Sequence, residues 1–429
     1  MSTAAALPAN DPTLRSWVPV APDSDFPIQN LPLGIFSGPT DGDGPRVGVA
    51  IGEQVLDCAR LFDHGYLAGL PFTREDLAAP SLNRLLAHGK AGTRSLRHRL
   101  SELLRADHAE LRDTPAHHDA LVPQRSVRMH LPVEIGDYTD FYSSEDHARN
   151  VGMMFRDPDN ALLPNWKHLP VGYHGRASSI VVSGTPIHRP HGQTRPDPAL
   201  PPVFGPTRLL DFELEMAFVT YPGKPLGQQI TTAEADEYIV GLALFNDWSA
   251  RDIQAWEYVP LGPFLAKNFA STLSPWIVLL DALEPFRVAG PVQDPPVLPY
   301  LETPPMGHYD IPLEVSIVTA AGVGQTLSHS NFRYLYWNMR QQLAHHTVGG
   351  CNIRGGDLMA SGTISGPDAG SLGSMLELTW RGTRPIAMPD GTERKFIQDG
   401  DTVVIRGAAV GAGYRVGFGE CRGQVAPGE

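Results

Sequence analysis

Asp211-Phe212-Glu213-Leu214-Glu215-Met216-Ala217-Phe218 alternates acidic and apolar side chains over most of its length. On a helix Glu213 and Glu215 would point nearly opposite ways, whereas on a strand alternate residues share a face. The strand reading puts Phe212, Leu214, Met216 and Phe218 on an apolar face, and Asp211, Glu213 and Glu215 on the other. At strand rise the α-carbons of Glu213 and Glu215 stand about 7 Å apart, close enough for one cation to draw in both carboxylates. The same pattern also describes a half-buried strand whose acidic face is simply solvated. Both alternatives make the segment β-structure.

The surroundings agree. From about residue 131, strand-like runs alternate with Gly, Pro and Asp turns: Ile180-Val181-Val182, Tyr238 to Phe245, Pro275 to Leu280, Leu313 to Val318 and Thr402 to Ile405. With 43 Gly and 40 Pro in 429 residues, a turn-rich β fold is favoured over a helical bundle. Before 131, Arg46 to Asp57 reads as two short strands about a Gly52-Glu53 turn. Ser81 caps a short helix that stops at Gly89, and Leu96, Leu100, Leu103 and Leu104 recur at helical spacing. Residues 1 to about 30, rich in Ala, Pro and Asp, are expected to wrap the surface in extended form. The predicted architecture is mainly β, with a small β-rich domain with helical decoration over 1–130 and a large β-dominated catalytic domain over 131–429. The first carries no catalytic cluster and reads as structural.

A hydrophobic share of 42% and a charged share of 19% describe a soluble globular protein. The net charge of −13 argues against nucleic acid or an anionic membrane as the main partner. No apolar run approaches the ~20 residues of a membrane helix, and Met1 to Val18 lacks the order of a signal peptide. Cys58, Cys351 and Cys421 form neither a disulfide framework nor a zinc motif, which suits a reducing compartment, so the cytoplasm is the expected location. There is no GxGxxG at a strand–helix junction and no phosphate-binding GxxxxGK[ST], so no organic nucleotide cofactor is expected.

Three further segments carry candidate chemistry. In Gly136-Asp137-Tyr138-Thr139-Asp140-Phe141-Tyr142-Ser143-Ser144-Glu145-Asp146-His147, Ser143 and Asp146 fit a capping box that places His147 in the first turns of a helix. A histidine there is either a general base or a surface residue. In Asn246-Asp247-Trp248-Ser249-Ala250-Arg251-Asp252, Asp247 ends an apolar strand, and Ser249 with Asp252 would start a helix presenting Arg251, Gln254 and Tyr258 on one face. That face suits an anionic or carbonyl-rich ligand; alternatively Arg251 merely pairs with Asp247 or Asp252. In Ser374-Met375-Leu376-Glu377-Leu378-Thr379-Trp380, an extended reading leaves Glu377 opposite an apolar face and solvent-exposed. Thr363 lies in the glycine-flanked loop Ser361 to Gly366, with backbone donors available to a ligand. Carboxylates set among strand-forming residues, next to a candidate base, suggest a hard cation and proton-transfer chemistry.

Together these segments resemble the fumarylacetoacetases, from about Asp137 to Gly423. The resemblance implies an SH3-like β-barrel followed by a mixed β-roll. It also implies a homodimer and hydrolysis of a carbon–carbon bond in a small β-diketo acid at the end of tyrosine and phenylalanine catabolism, with no organic cofactor. Position by position, it makes Asp140, Glu213, Glu215 and Asp247 the cation ligands, a set of four carboxylates with no nearby thiolate that favours Ca²⁺ or Mg²⁺ over Zn²⁺. It makes His147 the base and Glu377 its orienting carboxylate. Arg251, Gln254 and Lys267 become the oxyanion donors; Tyr142, Arg156, Tyr173, Gln254, Tyr258 and Thr363 contact substrate. Ala270 and Ser271 depart from the family's Gly and Thr beside Lys267, where Lys267 and Ser271 correspond to a second cation site. Rival readings are another enzyme of the superfamily, such as an acylpyruvate hydrolase, and a non-enzymatic Ca²⁺-binding recognition module.

Overall fold

The computed structural model describes residues 7–38, 44–411 and 413–428. An amino-terminal antiparallel sheet runs Leu121–Pro123, Gln54–Asp57, Arg46–Ile51, Leu33–Ser37, Arg128–His130 in spatial order and curls as a half-barrel. The Gly52-Glu53 turn falls where expected, with Ile51 opposite Gln54. Gly52 has φ +53°, and a β-carbon there would lie 2.4 Å from the Pro19 carbonyl oxygen, so glycine is required.

Two local expectations change. The short helix is Asn83–Leu86 and takes no cap from Ser81; Gly89, at φ +67°, opens the next helix, Gly89–Leu104, which carries the predicted leucines. The expected surface wrap holds only in part, and residues 1–6 lie outside the described residues. From Phe26 to Phe36 the chain is buried, because Ile28, Leu31 and Leu33 join the core while the Asn30 amide donates to the Gly417 carbonyl at 2.8 Å.

The large sheet has the order Gly172–His174, Tyr138–Phe141, Leu358–Ala360, Leu214–Thr220, Ile239–Asp247, Ser271–Leu273, Ile180–Val182, with Val278–Leu279 paired beside Ile239–Asp247. It is mixed: Tyr138–Phe141 runs parallel to Leu358–Ala360, and Ser271–Leu273 parallel to Ile180–Val182. A second sheet orders Gly324–Asn331, Pro312–Val318, Thr402–Val410, Arg415–Ala426 and Ile187–His188. The predicted strand at Pro275 to Leu280 shortens to Val278–Leu279, whereas that at Thr402 lengthens to Val410.

The decisive strand is apolar on both sides at its far end. Leu214, Met216 and Phe218 pack with Ile405, Val416 and Phe418 of the second sheet. Ala217 and Val219 pack toward Ile35, Val47 and Leu96 of the amino-terminal unit. Layers on both faces therefore shield the acidic residues at the strand's start from bulk water, and the solvated-face alternative fails: Glu215 is fully buried and Glu213 is 6% exposed.

Candidate active site

Asp140, Glu213, Glu215 and Asp247 meet at the end of this sheet, with one carboxylate oxygen from each within 4.8 Å of the others. Asp140 comes from Tyr138–Phe141 and Asp247 closes Ile239–Asp247. Glu213 sits where the strand breaks between Leu210–Asp211 and Leu214–Thr220. All four are buried. Lys267 Nζ donates to Glu213 Oε2 and, at 2.7 Å, to Asp247 Oδ2. Arg251 Nη1 lies 2.9 Å from Glu213 Oε1. The Gly362 amide donates to both Asp140 Oδ1 and Glu215 Oε2 at 3.1 Å. Gly362 has φ +76°, and a β-carbon there would lie 2.1 Å from the Phe141 carbonyl oxygen, so only glycine lets the backbone come this close.

The cluster carries more negative charge than its neighbours offset. Burial, reinforced by the Asp247 charge, pushes the Asp140 carboxyl well above the usual range; burial and the Asp140 charge do the same to Glu215. Burial opposes ionisation of Glu213 too, but Lys267 and Arg251 overcome it and hold that carboxyl low. Glu215 Oε1 is buried without a hydrogen-bond partner. Four converging carboxylates, two of them strained by mutual charge and one with an orphaned oxygen, fit a hard divalent cation.

Beside the cluster, His147 Nδ1 lies 2.7 Å from Glu377 Oε2, and both side chains are buried. A carboxylate can only accept, so Nδ1 carries the proton and Nε2 is left free to take one. Glu377 is held from several sides. Its Oε2 also accepts from Ser365 Oγ at 2.9 Å and Ser374 Oγ at 2.8 Å, and its Oε1 from Asn150 Nδ2 at 3.0 Å. Burial raises the Glu377 carboxyl, but His147 and these donors outweigh it and the net shift is downward, so the group stays ionised.

The predicted caps here are corrected. Ser144, not Ser143, caps the helix Glu145–Phe155, accepting from His147 N; Ser143 Oγ accepts from Gln342. Glu377 is neither on a strand nor exposed, because Ser374 caps the short helix Met375–Leu378 and turns Glu377 inward. The Ser-x-x-Glu spacing of Ser374 and Glu377 was the available signal, masked by the apolar alternation of Leu376, Leu378 and Trp380.

The helix Arg251–Glu257 forms as expected but without the Ser249–Asp252 box. Ala250 is at its N-cap, Ser249 Oγ donates to the Asp247 carbonyl, and Asp252 binds Thr207 and the Arg208 amide. Arg251 pairs with neither Asp247 nor Asp252 but with Asp211, Nε to Oδ2 at 2.8 Å, and with Glu213. Gln254 Oε1 accepts from Arg251 Nη1 at 3.2 Å. Tyr258 is half exposed just past the helix. Tyr173 Oη and Ser271 Oγ both donate to Asp247, at 2.9 and 2.7 Å. The Tyr142 ring stands edge-on to His147, with centroids 5.2 Å apart, and Thr363 is buried in the loop beside Gly362. Arg156 is exposed at the far end of the His147 helix, donating to the Ala161 carbonyl. A cavity of about 690 Å³ lined by Arg189, Arg208, Arg381 and Lys395 contains none of the predicted site residues.

The carboxyl-terminal model of the fumarylacetoacetate (FAA) hydrolase family matches residues 137–426, and the fumarylacetoacetase amino-terminal model matches 29–132. The chain belongs to the fumarylacetoacetase family. It is 56% identical over 417 residues to the fumarylacetoacetase of Homo sapiens, covering 96% of this chain and 99% of that one. Against the fumarylacetoacetase of Arabidopsis thaliana the identity is 51% over 417 residues, with the same coverage. In fold it is similar to a putative HpcE protein from Mycobacterium smegmatis, at TM-score 0.53 and 19% identity, covering 93% of this chain and 99% of that one. It is also similar to a fumarylacetoacetate hydrolase from Exiguobacterium antarcticum, at 0.51 and 18%, covering 92% and 99%.

Proposed function

We propose that the protein hydrolyses 4-fumarylacetoacetate to fumarate and acetoacetate, the last step of tyrosine and phenylalanine breakdown. The observation that carries this reading is the 56% identity to a fumarylacetoacetase along nearly the full length of both chains. Asp140, Glu213, Glu215 and Asp247 would hold Ca²⁺ or Mg²⁺, which when bound supplies Lewis acidity to the diketone oxygens.

His147 Nε2 takes a proton from water as the water oxygen bonds to the carbonyl carbon. Glu377 holds Nδ1–H and steadies the imidazolium that forms. Arg251, Gln254 and Lys267 face the negative charge that develops on the carbonyl oxygen, each donor contributing about 3–4 kcal/mol if well placed. The carbon–carbon bond then breaks, its electron pair leaves on acetoacetate, and the imidazolium returns its proton there. Tyr142, Arg156 and Tyr258 are assigned to the substrate's carboxylate ends, with Tyr173 and Thr363 as further contacts. Ser271, with Lys267, is assigned to a second cation, which metal stoichiometry per subunit tests.

The functional unit is proposed to be a cytoplasmic homodimer. Exposed Phe204, Trp256, Val259, Leu261 and Phe264, on the hairpin His191–Thr194/Val203–Pro206 and around the Arg251 helix, support a second copy as the cover. No helix among the described residues is long and apolar enough to cross a membrane. Loss of substrate absorbance, with and without added cation and across a panel of β-diketo acids and acylpyruvates, is the test. Preference for acylpyruvates would move the enzyme to the rival chemistry, and no turnover of either class would favour the binding module.

A further inference from the structure

Asp211 has no place in the reaction above, yet it is fully buried and its two oxygens accept three hydrogen bonds. Oδ2 takes Arg251 Nε at 2.8 Å and the Leu376 amide at 3.0 Å, and Oδ1 takes the Met375 amide at 2.7 Å. Met375 and Leu376 open the short helix whose third residue is Glu377. Two residues along, Glu213 forms an isolated bridge with Ser374, so the span Asp211 to Glu213 is docked against the turn that carries Glu377.

We propose that Asp211 is a positioning residue that couples the oxyanion donor Arg251 to the Glu377–His147 pair. It does so by fixing both to one carboxylate. The proposal rests on the reading of Arg251 and His147 given above. With Nε held by Asp211 and Nη1 by Glu213 and Gln254, the guanidinium plane is fixed. Its Nη2, buried and without a hydrogen-bond partner, is then the donor left over for a ligand. The other end of the same carboxylate sets the entry of the Met375–Leu378 helix, and with it where Glu377 presents its oxygens to His147. A neutral amide cannot replace this group, because Asn has one acceptor oxygen and its NH₂ would face a donor.

The test is Asp211→Asn in the cation-loaded enzyme, alongside Arg251→Met and Glu377→Gln. Native enzyme that fails to hydrolyse the diketo acid would remove the functional reading itself, not this coupling. Supporting residues of metal and catalytic sites typically contribute 10–100-fold, so kcat should fall by about that factor with KM and bound metal little changed. Groups acting as a unit are non-additive, so Asp211→Asn should cost far less once Arg251→Met and Glu377→Gln are both present. If Asp211→Asn does not fold, Asp211→Glu keeps the charge and both acceptors but shifts them by one methylene, and the same kcat loss at retained KM is expected. Native kcat per folded molecule in whichever variant folds, or a loss fully additive with both partners, would show that Asp211 merely supports the fold.

Discussion

Two kinds of buried carboxylate coexist in this molecule, and their surroundings differ in one respect. Asp57 and Asp401 are fully buried and individually matched. Asp57 accepts from Arg46 Nε at 2.6 Å and from the Ala59 and Arg60 amides. Asp401 takes a bidentate pair from Arg394 at 2.7 and 2.9 Å plus the Gln398 amide. At the end of the large sheet, Asp140, Glu213, Glu215 and Asp247, with Asp211 behind them, have two cations among the described residues, Lys267 and Arg251. That is five carboxyl groups to two cations, and Asp140 and Glu215 have a single backbone donor between them. Burial of charge is costly unless paired, so the scaffold pairs are complete as they stand, while the cluster calls for compensation by a further cation or by protons. Excess charge, not burial, separates the site from the scaffold.

The largest expected effect comes from making the cluster resemble the scaffold. Glu213→Gln or Asp247→Asn keeps side-chain shape but removes charge that a hard cation needs. Bound metal should be lost and turnover should fall by well over the ~10²-fold that supporting residues bring, with circular dichroism unchanged. Full activity in a metal-free variant would break the contrast outright.

Next in size is the base. General-base assistance contributes about 10²–10⁴-fold, so His147→Ala should lose that much in kcat while its metal content stays native. Glu377→Gln should cost less, and combining the two should add little. A near-native His147→Ala rate would assign the water to another group.

Much of this was legible beforehand, for reasons that can be named. The period-two pattern marked the strand Leu214–Thr220 but not its break at Phe212 and Glu213, and the apolar run ending at Asp247 marked where that carboxylate would sit. Burial was not legible at Glu213 and Glu215, because it depends on layers contributed by Leu96 and Ile405, far away in sequence. Glu377 was misread because alternation outweighed a four-residue capping signal. The pairing of Arg251 with Asp211 lies beyond local sequence, because Asp211 is brought to it by the bridge of Leu210–Asp211 with Ser249–Ala250. His147 and Glu377, separated by 230 positions, met only through the family resemblance.

On the scaffold side, Asp401→Asn should strand Arg394, and breaking a buried pair by removing one partner costs about 3–5 kcal/mol. Urea unfolding should show a loss in that range with kcat per folded enzyme unchanged. If the variant is as stable as native, the Asp401 pair is not a finished structural element and the comparison loses its reference.

The smallest effect, and the most discriminating, is the pH dependence of stability in the metal-free protein. Most carboxylates in folded proteins stabilise as pH rises, because pairing lowers their pKa. Asp140 and Glu215 run the other way: burial first, then neighbouring charge, raise both folded-state pKa values above an unfolded value near ~4. The folded state therefore binds more protons than the unfolded state above pH ~4, and the slope of unfolding free energy against pH is negative there. Their contribution is complete below pH ~4 and is lost as pH rises through the raised values. Adding Ca²⁺ or Mg²⁺ should flatten that decline and release protons on binding, since the cation takes the ionised carboxylates. Thermal melts of chelated and cation-loaded protein across pH 5 to 9, with calorimetry in buffers of different ionisation enthalpy, would read both. Glu215→Gln should remove part of the slope from the chelated protein, whereas Asp401→Asn should leave it intact. A slope in the metal-free protein that Glu215→Gln leaves unchanged, or cation binding without proton release, would mean that the cluster is as well compensated as the scaffold pairs.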